Sequence, residues 1–451
     1  MVHVKSIISV LVSTLSLCAS ADFTTLPFYP APSVPAAWPK IPTVPAWAVP
    51  STDRHKPPHS PYRKQCKVKA RGPGLDDIPN IIEAARKCNH GGRVILDEEY
   101  YAASPADLTF LEDVDLVLSG KITWNNDVQY WQNAGFFIPY QNQTSYWLIG
   151  GNNVNIYGGG EISGEGQTFY DAFASNATLL RPILLVIYGA RGGSVSNIKL
   201  SDGPSWFNLL INSSNFIYDN LHMNAVSLSS NVAKNTDGID IYRSDNIVFS
   251  NSVINNGDDC VSFKPNSTHI IVSNLACNGS HGISVGSLGQ YENEIDIVEN
   301  VYVSNISMSN AQNGARIKVW TGTAAGTSAN YNGGDGAGIV RNITYDGMTV
   351  NNVDYAIQVT QCYGQSNLTF CAEHPSRMLI QDVLFENFSG TTSGKYKNIT
   401  TSIVCSAPNL CTNLQADNID VASPAKYGAG QSQCKNVDTT SLHVNCTASA
   451  A

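Results

Sequence analysis

The sequence predicts an all-β chain, a parallel β-helix solenoid with a short N-terminal capping helix. From about Val114 onward, short β-branched runs alternate with Asn, Gly, Ser and Asp, and no convincing helix interrupts them. One phrase recurs loosely: "SNIKLSDG" returns as "SNFIYDNLHMN", "DNIVFSNSVINNG", "THIIVSNLACNG", "ENVYVSNISMSNAQNG" and "RNITYDGMTVNN", at spacings of roughly 22 to 34 residues. A repeat of a few short strands parted by Asn/Gly turns cannot bury its apolar side chains alone. It buries them by stacking on the next coil. A propeller blade needs a longer period and an antiparallel pattern, which the chain lacks.

The elements follow in order. Lys5, the apolar run Ser6 to Cys18 and the small-x-small triplet Ala19-Ser20-Ala21 predict a secretory signal peptide over residues 1–21. Residues 22–62 hold eleven of the 21 prolines. Proline removes a backbone donor, so this stretch is read as an extended arm rather than a helix or central strand. In "GLDDIPNIIEAARKCNHGGRVIL" acids precede an apolar-periodic run, Ile78 to Ala85, and Lys87 and Gly91-Gly92 close it. That pattern predicts one amphipathic helix capping an end of the solenoid. Residues 63–451 are then read as one β-helix domain.

Composition narrows the function. The chain is 43% hydrophobic and 14% charged, as a globular protein is. A net charge of −9 disfavours nucleic acid and anionic membrane as partners, since both select basic patches. No stretch after the leader is long and apolar enough to span a bilayer. Of 11 cysteines, Cys18 lies in the leader and ten remain. In an oxidising compartment ten allow five disulfides. The sequence leaves their pairing open, but short separations favour Cys66–Cys88, Cys260–Cys277, Cys362–Cys371, Cys405–Cys411 and Cys434–Cys446. No C-x-x-C pair points to a metal. Eleven N-x-[ST] sequons stand at Asn142, Asn176, Asn212, Asn266, Asn278, Asn305, Asn342, Asn367, Asn387, Asn398 and Asn445, a density that suits a secreted glycoprotein.

Registering the repeats on their apolar positions yields columns. Ile239, Val261, Ile283 and Ile317 align, as do Ile241, Phe263, Val285 and Val319. Alternation along a strand makes both columns face inward. Two residues earlier stand Asp237, Asp259, His281 and Ala315, at strand entrances after Gly-rich turns where a polar side chain can leave the core. The outward phase collects Asp240, Ser262, Ser284 and Lys318, with Gly238, Cys260, Gly282 and Arg316 one step back, and Asp258 shares that outward parity. A lone NTDG or GDD is most often turn chemistry. Here Asp237 to Asp259 and Asp259 to His281 are both 22 residues apart, so three carboxylates, a histidine and two cations meet on one face. Carboxylates that close raise one another's pKa, so one stays protonated as a general acid while another activates water. That is the equipment of glycoside hydrolysis. Arg316 and Lys318 suit a carboxylate on the substrate.

The motifs NTDG (235–238), GDDC (257–260), GSHGISVGSLG (279–289) and RIK (316–318), in this order, resemble those of the pectin-degrading polygalacturonases, glycoside hydrolase family 28. The resemblance runs over roughly residues 66 to 400. It implies a right-handed parallel β-helix that hydrolyses α-1,4-linked galacturonate chains with inversion, needing no metal or cofactor. It implies Asp258 as general acid, Asp237 and Asp259 as the holders of the water, and His281 in support. Asn235, Arg316 and Lys318 would bind the substrate, beside the Cys260–Cys277 pairing that the short separation favours. GSH in place of GGH, and "GSLGQYENEIDIVENVYVSNISM", resemble the fungal exo-acting subgroup. The expectation is therefore a secreted, monomeric galacturan 1,4-α-galacturonidase that releases galacturonic acid from the non-reducing end. The insertion 321–338 would narrow the cleft. A rhamnogalacturonan-active exo-hydrolase and an endo-polygalacturonase of the same family are the alternatives. A noncatalytic polysaccharide-binding β-helix or a Ca²⁺-dependent lyase stands further off.

Overall fold

The computed structural model describes residues 63–323 and 333–448. The expected signal peptide and Pro-rich arm lie outside the described residues, as do residues 324–332 of the insertion.

Helix α1 spans Ile78–Cys88. The Asp76 carboxylate accepts the Ile78 N–H at 3.2 Å, and Asp77 accepts the backbone N–H groups of Arg71 and Tyr101 at 2.7 and 2.9 Å. One helix-start donor is thus met and the start is pinned to the strand that holds Tyr101. Arg86 and Lys87 stand in the last turn, where cations meet the negative helix end. Ile78, Ile81, Ala84, Ala85 and Cys88 form one buried stripe, and the Cys66–Cys88 disulfide fastens it. The chain then turns sharply: a Cβ on Gly92 would lie 2.3 Å from the Cys88 carbonyl oxygen.

Beyond α1 every pairing in the main sheet is parallel, and strands pair with their equivalents one coil on. Eight successive strands of one face matter for function: β1 (Leu185–Tyr188), β2 (Asn208–Ile211), β3 (Ile239–Tyr242), β4 (Val261–Phe263), β5 (Ile283–Leu288), β6 (Asn313–Trp320), β7 (Tyr355–Tyr363) and β8 (Ile399–Val404). Their inward residues belong to one apolar core that continues from Cys66 to Leu442. The recurrent asparagines stack at the turns. Asn255 donates to Asn224, Asn278 to Asn255, Asn310 to Asn278 and Asn352 to Asn310, each at 2.9 Å. A shorter ladder joins Asn251, Asn274 and Asn305, all with φ between 52° and 57°, a region asparagine tolerates better than other side chains. All five short-range disulfides are formed.

Two expectations need correction. Helices do occur after Val114: α2 (Val128–Ala134), α3 (Gln167–Ser175) and α4 (Leu368–Glu373). They sit in connections between strands and run at most nine residues, too short for apolar periodicity to stand out. The fourth rung is also displaced by two residues. Ile283 pairs with Ala315 and Val285 with Ile317, so Asn313, not Ala315, follows His281 in its column, and Arg316, not Lys318, follows Ser284. A two-residue slip keeps every side chain on its face, so alternation alone could not detect it.

Candidate active site

The outward phase of β1 to β8 forms the floor of the site. Register places Leu148, Val186, Leu209, Asp240, Ser262, Ser284, Arg316, Gln358 and Ser402 in one column. Its first three residues are apolar and covered. A small sheet of Phe136–Ile138, Gln143–Ser145 and Pro182–Ile183 lies over them. Ile138, Tyr140, Ile183 and Trp206 pack there with Val186, Leu209, Ile211 and Tyr242. Tyr140 stacks on Tyr242 at 4.0 Å, and Gln141 reaches across the floor to donate to Gln290 at 2.9 Å. From Asp240 onward the column is polar and a cleft of about 920 Å³ opens.

Asp237 and Asp258 both line this cleft, and Asp259 is buried against Lys318, which lines it too. The expected split, with Asp258 facing away from the other two, does not hold. These residues lie in turns ahead of their strands, where alternation does not apply. The turns are braced. Asn256 donates through Nδ2 to the carbonyls of Thr236, Asp258 and Asp259 at 2.9 Å each, and Gly257 N–H donates to the Thr236 hydroxyl. Ser280, the serine of GSH, donates to the Asp258 carbonyl at 2.9 Å. The Cys260–Cys277 disulfide adjoins the pair.

Each carboxyl has a distinct environment. Asp258 Oδ1 lies 2.9 Å from His281 Nδ1 and accepts the Asp259 N–H at 2.8 Å. Burial pushes the Asp258 carboxyl up, but the His281 hydrogen bond and charge, Lys318 and that N–H hold it well below the usual range. Asp259 is fully buried, accepts the Ser284 hydroxyl at 2.7 Å, is clasped by Lys318 and lies 4.0 Å from Arg316. Asp237 is pushed well up by burial and then by the charges of Asp240 and Asp258, and its Oδ1 makes no hydrogen bond. Asp240, on the floor, is raised to about 7 by burial against the opposing pull of Lys264. The carboxyls whose hold on a proton is strengthened are thus Asp237 and Asp240, while that of Asp258 is weakened.

Asn235 lines the cleft, but both ends of its amide are engaged. Arg181 donates to its oxygen at 2.7 Å, and its Nδ2 donates to Asp258 at 3.3 Å. On the other side of the acids the Arg316 guanidinium and Lys318 ammonium lie 5.6 and 5.7 Å from the Tyr363 ring centre, within cation–π range. One oxygen each of Asp258 and Asp259 and one His281 nitrogen lie within 4.8 Å of one another. Lys318 and Arg316 already crowd Asp259, so this cluster is a poor host for a divalent cation.

Sequence reasoning missed Arg181, Lys264 and the small sheet. Arg181 carries no local signal, for its partner Asn235 lies 54 residues on. Lys264 could have been found, because it stands two residues after Ser262 on the same outward phase.

The pattern named "Glycosyl hydrolases family 28" matches residues 107–446. A "Probable exopolygalacturonase X" of Neosartorya fischeri is 54% identical over 395 residues, 87% of this chain and 91% of that protein. An "Exopolygalacturonase" of Cochliobolus carbonum is 51% identical over 85% of this chain and 86% of that protein. Among solved structures, the endo-xylogalacturonan hydrolase of Aspergillus tubingensis superimposes with a TM-score of 0.76 at 33% identity, over 86% of this chain and all of that one. Endopolygalacturonase I of Stereum purpureum shares the fold at a TM-score of 0.59 and 18% identity, over 85% of this chain and 99% of that one.

Proposed function

The chain belongs to glycosyl hydrolase family 28, and from that premise we propose how its exopolygalacturonase activity is divided among its residues. A polygalacturonate chain lies over Arg316, Lys318 and Tyr363, its carboxylates toward the cations. Its non-reducing terminal sugar occupies the space between the acids and the small sheet. Asp258 gives a proton to the glycosidic oxygen as the C1–O bond breaks. Water held by Asp237 and Asp259 adds to C1 from the opposite face and passes its proton to a carboxylate. The products are one galacturonate and a chain shorter by one.

Asp258 can serve as acid despite its depressed pKa, because it does not act alone. His281 Nδ1 lies 2.9 Å from its carboxylate, within reach to relay a proton to it before each turnover. Inversion is the stereochemistry proposed. The separation within 4.8 Å is below the ~6.5–9.5 Å usual for inverting pairs and nearer the ~5–5.5 Å of retaining ones, so the first-formed anomer is the sharp test.

The observation that carries exo action is the covered half of the floor. The Tyr140–Tyr242 stack and the Gln141–Gln290 bond cross the groove on one side of the acids, and the substrate-binding cations lie on the other. Trigalacturonate is the test substrate. Monogalacturonate and the dimer are expected in equal amounts, with an inverted anomer by NMR and little early loss of polymer viscosity. Oligomers as the first products of the polymer would overturn exo action, and a retained anomer would overturn inversion.

Secretion is proposed from the five disulfides and the sequons, with residues 1–21 as the cleaved leader, 22–62 as the arm and 63–451 as a monomeric catalytic β-helix. N-terminal sequencing of protein from culture medium tests the leader, and light scattering tests the monomer.

A further inference from the structure

The division of labour above gives no task to Lys264. This lysine follows β4 on the outward phase, and its N–H donates to the Ile241 carbonyl at 2.8 Å, which continues the parallel register. It thus shares a column with Tyr242 on one side and with Gly286 and Lys318 on the other. Lys264 and Lys318 are two rungs apart, on the order of 9–10 Å along the solenoid. Both line the cleft, and each meets an aspartate. Their surroundings differ. Lys318 lies by Asp259 and Tyr363, where the polymer passes. Lys264 lies at the blind end, 5.0 Å from the Trp206 ring centre and close enough to Tyr140 and Tyr291 to influence both electrostatically.

An ammonium only 3% exposed carries a desolvation cost that needs good partners. Lys264 has an incomplete one. Its Nζ lies 3.0 Å from Asp240 Oδ1, yet neither Asp240 oxygen makes a well-directed hydrogen bond. Three ammonium donors face one poorly aligned carboxylate and the open cleft. We propose that Lys264 binds the C6 carboxylate of the terminal, non-reducing galacturonate, with the Asp240 carboxyl 3.0 Å away holding the ammonium in position. The exo enzyme would then read charge at two places, on the sugar it releases through Lys264 and on the chain it leaves through Arg316 and Lys318. This inference rests on the exo reading above.

The test compares trigalacturonate with the same trimer methyl-esterified only on its non-reducing terminal residue. The wild-type enzyme is expected to favour the free acid by on the order of 10–100-fold in kcat/KM, the worth of a hydrogen bond to a charged group. In Lys264→Met that preference falls to within about threefold, chiefly through KM. Lys264→Met/Asp240→Asn, which removes both buried ionisable partners, should lose it equally and guards against a fold defect in the single variant. A preference that survives in the double variant overturns the proposal, as does an equal loss on both trimers. Failure of the exo reading looks different, because wild type and variants alike would then release oligomers from the polymer.

Discussion

The outward face of the floor sheet has two halves built from the same strands in the same register. Under the small sheet it is Leu148, Val186 and Leu209; beyond it comes Asp240, Ser262, Ser284 and Arg316. The backbone does not change between them. What changes is the cover, an apolar lid of Ile138, Tyr140 and Trp206 on one side and an open cleft on the other. In a solenoid the boundary between structure and site is therefore set by side chains at a single step, from Leu209 to Asp240, and under the proposed binding mode a bound chain ends at that step.

The comparison breaks most severely at the polar half. Asp258→Asn should lower kcat by on the order of 10²–10⁴-fold, the range of general acid catalysis, while thermal unfolding stays near that of wild type. Near-normal turnover would show that another group gives the proton. Carrying the polar character across the boundary should hurt folding next: Leu209→Asp places an unpaired acid beneath the lid and is expected to cost about 3–5 kcal/mol in denaturant unfolding. Opening the boundary should change the products. Tyr140→Ala removes the stack on Tyr242 and unseats Gln141, so the share of dimer and trimer released from polygalacturonate should rise from near zero. An unchanged product profile would mean that the lid does not set the exo mode.

The smallest effect is a slope. Burial raises the Asp240 carboxyl to about 7 in the folded protein, whereas an unfolded aspartate loses its proton near pH ~3.9. Within that window the folded state binds more protons, so this group makes stability fall as pH rises. Asp237, also raised, acts in the same direction. Asp240→Asn should flatten the decline between those two pH values in pH-dependent denaturation. A slope identical to wild type would remove Asp240 as its source.

The same boundary explains what the sequence disclosed. Rung length and inward columns were legible because each depends on residues close in the chain, as Ile239 and Val261 show. So were the acids, whose 22-residue interval is one coil. The lid was not legible, because Ile138 meets Leu209 only after folding brings two distant rungs together. Nor was the depressed Asp258, whose state depends on His281 in the next rung and Lys318 in the one after. The two-residue slip at β6 escaped for a third reason, since a pattern of period two is blind to shifts of two.

The asparagine ladder has a consequence for which of the sequons are open to sugar. Asn278, Asn305, Asn342 and Asn387 sit in sequons, and each already donates its side-chain amide to a neighbouring coil. An oligosaccharide attached there replaces one of the two amide hydrogens and competes with that bond for the room between rungs about 4.8 Å apart. Among the described residues, Asn142, Asn176, Asn212, Asn367 and Asn445 make no such donation. Glycopeptide mass spectrometry should find sugar concentrated on this second group. The pattern that builds the solenoid would then also decide which of its sides stays bare.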